Sequence, residues 1–145
     1  MKATFQKYTL QFKRPAGTSR GVLTEKPTWL LTIEHNGRRG IGECSPLPGL
    51  SIDDISDYER SKLLWTCAHI SLGKKALWEQ LKSYPSIQFG VEQAFLSLEA
   101  EQEGVLFPSL FTEGQVPIPI NGLIWMGDKD YMQQQIREKL SQGFH

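Results

Sequence analysis

Cysteine is scarce in this chain, occurring only at Cys44 and Cys67, with no CxxC spacing. A disulfide framework is therefore not what holds the fold together, and two partly buried thiols in a reducing compartment are expected. The three histidines, His35, His69 and His145, show no HxH, HExxH or Cys/His spacing, so no metal site is written in the sequence. Neither charge is in excess: 16 Lys and Arg stand against 16 Asp and Glu. That balance argues against broad nucleic-acid binding, which requires surplus cations to displace counterions from phosphates. No apolar run approaches the roughly 20 residues that cross a bilayer. The first residues, MKATFQKYTLQFKR, alternate instead of forming the apolar stretch of a signal peptide. A cytoplasmic protein with no nucleic-acid or membrane partner is expected. No P-loop, GxSxG or GxGxxG is present either.

What the chain does contain is the material of a packed domain. Of its 145 residues 39% are hydrophobic and 22% charged, with 4 Trp, 7 Phe and 4 Tyr to fill a core. Tyr8, Leu10 and Phe12 alternate with polar neighbours, which predicts a half-buried strand over residues 3–13. The breaker-rich run at 14–21 (RPAGTSRG) predicts a loop. Alternation resumes at Trp29, Leu31 and Ile33, and Asn36-Gly37 then signals a tight hairpin, since both residues tolerate positive φ. A short return strand over 39–44, carrying Gly40 and Gly42, completes a three-stranded antiparallel meander.

A second loop at 45–51 (SPLPGLS) is both breaker-rich and apolar. Helices follow. Ser51 is the expected N-cap of a helix reaching Leu72 and stopping at Gly73, with Asp53 and Asp54 in its first turn. A short piece with Leu77 and Leu81 ends before Pro85. Ser86 is expected to cap the next helix, whose apolar positions Val91, Ala94, Phe95 and Leu98 share one face, and Gly104 is expected to end it. In the last 30 residues, 116–121 (VPIPIN) read as a short strand and Asp128 as the cap of a helix with a Met132, Ile136, Leu140 stripe. Gly143 stands at its C-terminus. The expected fold class is thus α+β: a meander with helices (residues 1–104), a connector (105–115), and one strand-helix unit (116–145) in the manner of a parallel α/β fold. A lone parallel strand has no neighbour to pair with, so that unit reads as interrupted.

Candidate chemistry is sparse. Asp53-Asp54 suits a helix start, and Glu99, Glu101 and Glu103 suit a solvated helix end, better than acid/base roles. Arg14 and Arg20 bracket the first loop and offer guanidinium forks to a carboxylate, or are simply exposed. The apolar side chains of 46–50 either tuck under the loop or close over a ligand.

The run GIGECSPLPGLS at 40–51 resembles the enolase superfamily, and within it the o-succinylbenzoate synthase family. FGVEQA at 89–94 and IPINGLIWMG at 118–127 reinforce the resemblance. It implies an N-terminal α+β capping domain followed by the first βα unit of a (β/α)₈ barrel that is not complete here. It implies a small-molecule carboxylate substrate, SHCHC, dehydrated to o-succinylbenzoate by a lysine base with Mg²⁺. It makes both loops substrate-closing elements: Arg14, Thr18, Ser19 and Arg20 on the first, and Leu47, Pro48, Gly49 and Leu50 on the second. Asn121 falls near the C-terminal end of the first barrel strand. The family's Lys-x-Lys motif and its carboxylate ligands for Mg²⁺ belong to later strands, with no counterpart here. A partial synthase, inactive alone and prone to self-association through residues 116–121, is therefore expected. An N-acylamino acid racemase or dipeptide epimerase of the same superfamily is the first alternative, and a free-standing binding or oligomerisation domain the second.

Overall fold

The computed structural model describes residues 1–18, 21–102 and 104–144. Three antiparallel strands, β1 (Lys2–Thr18), β2 (Gly21–His35) and β3 (Arg38–Cys44), form a sheet in the order β1-β2-β3. The meander is as expected, but the first two strands are longer. Residues 14–18 and Gly21, expected as loop, are strand. Pro15 and Gly17 are tolerated because β1 is an edge strand, where a missing donor or side chain costs least. Asn36 and Gly37, with φ of 49° and 76°, make the two-residue turn that sets the β2–β3 register. Trp29 then faces Cys44, Leu31 faces Gly42 and Ile33 faces Gly40.

The chain divides into two compact units, Met1–Leu10 with Glu25–Phe107, and Gln11–Thr24 with Pro108–His145. In the first, a π-helical turn (Tyr58–Leu63) leads into α1 (Leu64–Ala68) and a 3₁₀ turn (Ile70–Leu72). Two further helices follow, α2 (Lys74–Gln80) and α3 (Pro85–Glu99). The expected helix from Ser51 is thus shorter and broken, because residues 51–57 form turns closed by their own backbone bonds. Gly73, at φ 81°, ends it where expected. Gly104 has a positive φ too, but α3 has already stopped at Glu99.

The core of this unit lies between the sheet and α3. Trp29, Leu31 and Ile33 of β2 are buried with Ile87, Val91, Ala94, Phe95 and Leu98 of α3, and Leu63, Ile70, Leu77 and Leu81 close it. The inward positions of β3 are Gly40, Gly42 and Cys44, and this is what lets α3 lie against the strand. A Cβ on Gly42 would overlap the Gly90 carbonyl and sit 2.8 Å from Ala94 N. One on Gly90 would strike Cys44 Sγ. The helix also covers the strand's open edge, since Ile41 N donates to Ser97 Oγ (3.2 Å) and Glu43 N to Gln93 Oε1 (2.8 Å). Edge amides that would otherwise recruit another strand are thereby satisfied.

Both cysteines are free thiols, Cys44 buried and Cys67 half-buried. Burial, with smaller contributions from Cys67, Asp53 and Glu43, pushes the Cys44 thiol from 9.0 up to about 12. The native state therefore holds this proton more tightly than the unfolded chain does. The thiol does not affect the pH dependence below pH 9, and stability is lost between pH 9 and about 12, as the unfolded thiol ionises first. Urea midpoints measured at pH 8 and pH 10.5 should fall by an amount approaching about 1.4 kcal/mol per pH unit from this thiol. Burial also pushes the Cys67 thiol from 9.0 up to about 11 and adds a similar loss over that range. Cys44→Ala should therefore remove roughly half of the dependence, and an unchanged slope in the variant would assign it elsewhere.

In the second unit, α4 (Lys129–Ser141) begins as expected at Asp128, whose Oδ1 accepts from Tyr131 N at 2.9 Å. Gly143, at φ 88°, follows its end. Two expectations fail here. Residues 116–121 form no strand, so the barrel-type βα unit is not realised among the described residues. The α4 stripe is not buried either, with Ile136 and Leu140 exposed. The reason is shared: a parallel strand needs a neighbouring strand for its amides, and the helix face needs that sheet beneath it. Gln135 supplies a local substitute, its amide accepting from Trp125 N (2.9 Å) and donating to Trp125 O (3.0 Å).

Candidate functional site

The 45–51 segment is a compact turn held by its own polar groups. Leu50 N and Ser51 N both donate to Leu47 O, at 3.1 and 3.0 Å. Leu47 N donates to Ser51 Oγ (2.8 Å), and Gly49 N to Asp54 Oδ2 (2.7 Å). Gly49 adopts φ 69°, a region other residues enter only with strain. Ser51 and Asp54 therefore cap this turn, not a helix. The choice between tucking under and covering is answered residue by residue: Pro46 is buried, Pro48 and Leu50 are half-buried, and Leu47 and Gly49 face outward. Two prolines and four bonds make the turn a pre-shaped surface.

Behind the turn lies an open groove of about 510 Å³, walled by Ser45, Ser51, Asp53, Ser86, Ile52 and Phe89. Asp53, expected in a helix's first turn, is instead buried. Its Oδ2 accepts from Ser86 N (2.8 Å) and from the Ser86 hydroxyl. Pro85 and Ser86 open α3, so Asp53 caps that helix from a distant loop, and Ser86 is not the cap itself. Because the Ser86 hydroxyl donates to the carboxylate, the Tyr58 hydroxyl donates to Ser86 Oγ, at 2.6 Å. Burial raises the Tyr58 phenol well above its usual value and keeps it a donor. Tyr58 packs its ring on Trp29 (centroids 4.7 Å apart), and Trp29 Nε1 donates to Glu59 Oε2 at 3.0 Å. The groove floor is thus joined to the core by hydrogen bonds from Asp53 through Ser86 to Tyr58, whose ring then packs on Trp29.

The remaining site residues lie in the second unit. Arg14 Nη1 donates to the Tyr131 hydroxyl (2.8 Å), with its guanidinium 5.7 Å from that ring's centroid. Thr18 Oγ1 donates to Gly21 O (2.8 Å), and Asn121 is exposed. Ser19 and Arg20 lie outside the described residues. The structure therefore gathers Leu47, Pro48, Gly49 and Leu50 on one turn and pairs Arg14 with Tyr131. The sequence reading missed Tyr131, Asp53 and Ser45. Asp53 and its partner Ser86 are 33 residues apart, which left no local signal for that pairing. Arg14 and Tyr131 are 117 residues apart and offered none.

This three-stranded antiparallel meander backed by helices, with a pre-shaped apolar turn after its third strand, matches the N-terminal capping domain of the enolase superfamily. The family model for the MenC N-terminal domain matches residues 1–98. The chain belongs to that family, the N-terminal domain of o-succinylbenzoate synthase. It is 36% identical to the o-succinylbenzoate synthase of Desulfotalea psychrophila, aligning over 99% of its own length and 47% of that protein's. The crystal structure of MenC from the same organism superposes with a TM-score of 0.75 at 29% identity, covering 99% of this chain and 47% of that one. The fold also matches the o-succinylbenzoate synthase of Thermosynechococcus elongatus, described with Mg in its active site. That match has a TM-score of 0.69 at 20% identity, over 99% of this chain and 41% of that one. The chain thus spans about half the length of the first of these relatives. Among the described residues no helix is long and apolar enough to cross a membrane.

Proposed function

We propose that this chain is the lid-bearing part of an o-succinylbenzoate synthase, a cytoplasmic Mg²⁺-dependent lyase that dehydrates SHCHC. The observation that carries this reading is the 45–51 turn. In a chain of this family it is held by its own hydrogen bonds, anchored by buried Pro46, and leaves Leu47 36% exposed at its surface. Such a surface is suited to covering an apolar ring and shutting out water, which strengthens electrostatics beneath it. Arg14, held against Tyr131, is the candidate partner for a substrate carboxylate, with Thr18, Ser19, Arg20 and Asn121 beside it in sequence or role. The segment 116–121 with α4 is proposed as the first βα unit of a barrel, ordered once neighbouring strands pair with it. The boundaries 1–104, 105–115 and 116–145 follow from that reading.

Among the described residues no three His, Cys, Asp or Glu side chains converge as a metal cage. The adjacent pair Asp53 and Asp54 is divided, one facing Ser86 and the other Gly49. Mg²⁺ demands near-octahedral oxygen ligation, which these residues do not offer, so no step of this chain's own chemistry runs through it.

The experiment is a chimera in which residues 1–98 replace the matching domain of the Desulfotalea relative. Mg²⁺-dependent dehydration should persist. In that background Leu47→Asp should raise KM about tenfold or more with a smaller change in kcat, because a charge is driven against an apolar ligand. A folded chimera indifferent to Leu47→Asp would remove the lid reading.

A further inference from the structure

We infer that the groove beside the 45–51 turn binds a primary ammonium group on a short alkyl stem, held by Asp53 and Ser45. The inference stands on the first unit alone and does not rest on the proposed reaction.

Asp53 is 1% exposed, and its two oxygens are treated unequally. Oδ2 takes both donors of Ser86, while Oδ1 has no protein partner, and neither has Ser45 Oγ. Both residues line the same groove. Among the described residues no Lys, Arg or His forms an ion pair with Asp53. A buried carboxylate with one bare oxygen and no cation is costly, and a charged donor relieves that cost more than a neutral one. Glu43, on the same wall, adds negative charge that Lys26 at 4.0 Å offsets only in part.

The rest of the groove selects the form of the cation. Ile52 is 82% exposed and Phe89 58%, and with Pro85 they give an apolar lining for a methylene stem. An ammonium brings three donors in a small volume, enough for Asp53 Oδ1, Ser45 Oγ and one solvent or hydroxyl acceptor. A carboxylate ligand is repelled by the acidic wall. A hard divalent ion finds too few oxygens. Both unpartnered atoms are buried in residues that line the groove, so the ligand reaches them by displacing a wall side chain, and Ile52 is the most exposed apolar one.

The test is a titration of the ¹⁵N-labelled 145-residue chain with n-butylammonium chloride at constant ionic strength, with sodium chloride and sodium butyrate as controls. The amides of Ser45, Asp53, Ser86 and Phe89 should shift saturably with n-butylammonium and with neither control. Asp53→Asn keeps an acceptor for Ser86 and should weaken binding at least tenfold. Ser45→Ala, which leaves the α3 cap untouched, should weaken it about threefold and serves if Asp53→Asn does not fold. Equal shifts with sodium chloride, or undiminished binding by a folded Asp53→Asn or Ser45→Ala chain, would overturn the assignment.

Discussion

Replacing Gly42 by alanine is expected to remove most of the stability of the first unit, about 3–5 kcal/mol. The added methyl has no space to enter. It would overlap the Gly90 carbonyl and lie 2.8 Å from Ala94 N, and both are backbone atoms of α3 that cannot rotate away. Relief requires moving the whole helix off the strand. That would uncover Leu31 and Ile33 and break the bonds from Gln93 and Ser97 to the edge of β3. Small domains hold only about 5–15 kcal/mol in total, so the variant should be largely unfolded at low denaturant. Urea titration followed by tryptophan fluorescence reads this directly, since Trp29 is in the core. Gly37→Ala is the matched comparison. It meets nothing within 4 Å but forces φ 76°, so its cost should stay near about 1 kcal/mol. Equal costs at the two positions would show that packing against α3 is not what glycine serves in β3.

The second large effect concerns activity. The 145-residue chain, assayed as it stands with SHCHC and Mg²⁺, is expected to produce o-succinylbenzoate no faster than the uncatalysed reaction. Enzymes commonly accelerate their reactions by about 10⁶-fold or more, so the contrast with a full-length relative is not subtle. The expectation rests on what these residues are. They form a pre-shaped turn, an arginine held by a tyrosine and a groove, and they bring together no metal cage among the described residues. Proton removal beside a carboxylate builds up negative charge, and among the described residues no cluster of metal ligands is arranged to stabilise it. A saturable, Mg²⁺-dependent rate from this chain would relocate the catalytic base to residues 1–145. The same preparation should run above its monomer mass of 16.5 kDa in light scattering. Ile118, Ile120, Leu123, Trp125 and Met126 are all exposed along one segment. An unpaired segment of that composition invites another copy. A strictly monomeric chain at tens of micromolar would exclude that association.

Much of the first unit was legible because its signals are local. Asn36-Gly37 declares a turn through φ alone, and Trp29, Leu31 and Ile33 declare a buried face through alternation. Val91, Ala94, Phe95 and Leu98 declare a helix face through their spacing. The misread segments are those where a local rule met a distant partner. Residues 14–18 carry loop-forming residues, yet pairing with β2 keeps them in strand. Ser51 and Asp53 look like a helix start, but Ser51 Oγ is taken by Leu47 N and Asp53 Oδ2 by Ser86. The α4 stripe has the right period, but no layer among the described residues covers it.

Of the candidate site, the sequence supplied the apolar turn at 45–51 and the arginine at 14, and, through the run at 40–51, the family. It also showed two glycines in β3 without a reason for them. Only the tertiary structure provided the reason, since a glycine's purpose there is the absence of atoms where α3 passes. The same holds for Asp53, whose partner Ser86 is 33 residues away, and for Tyr131 beside Arg14. Local conformational preference is encoded within a few residues, whereas close approach and polar pairing depend on which distant backbone the fold brings near.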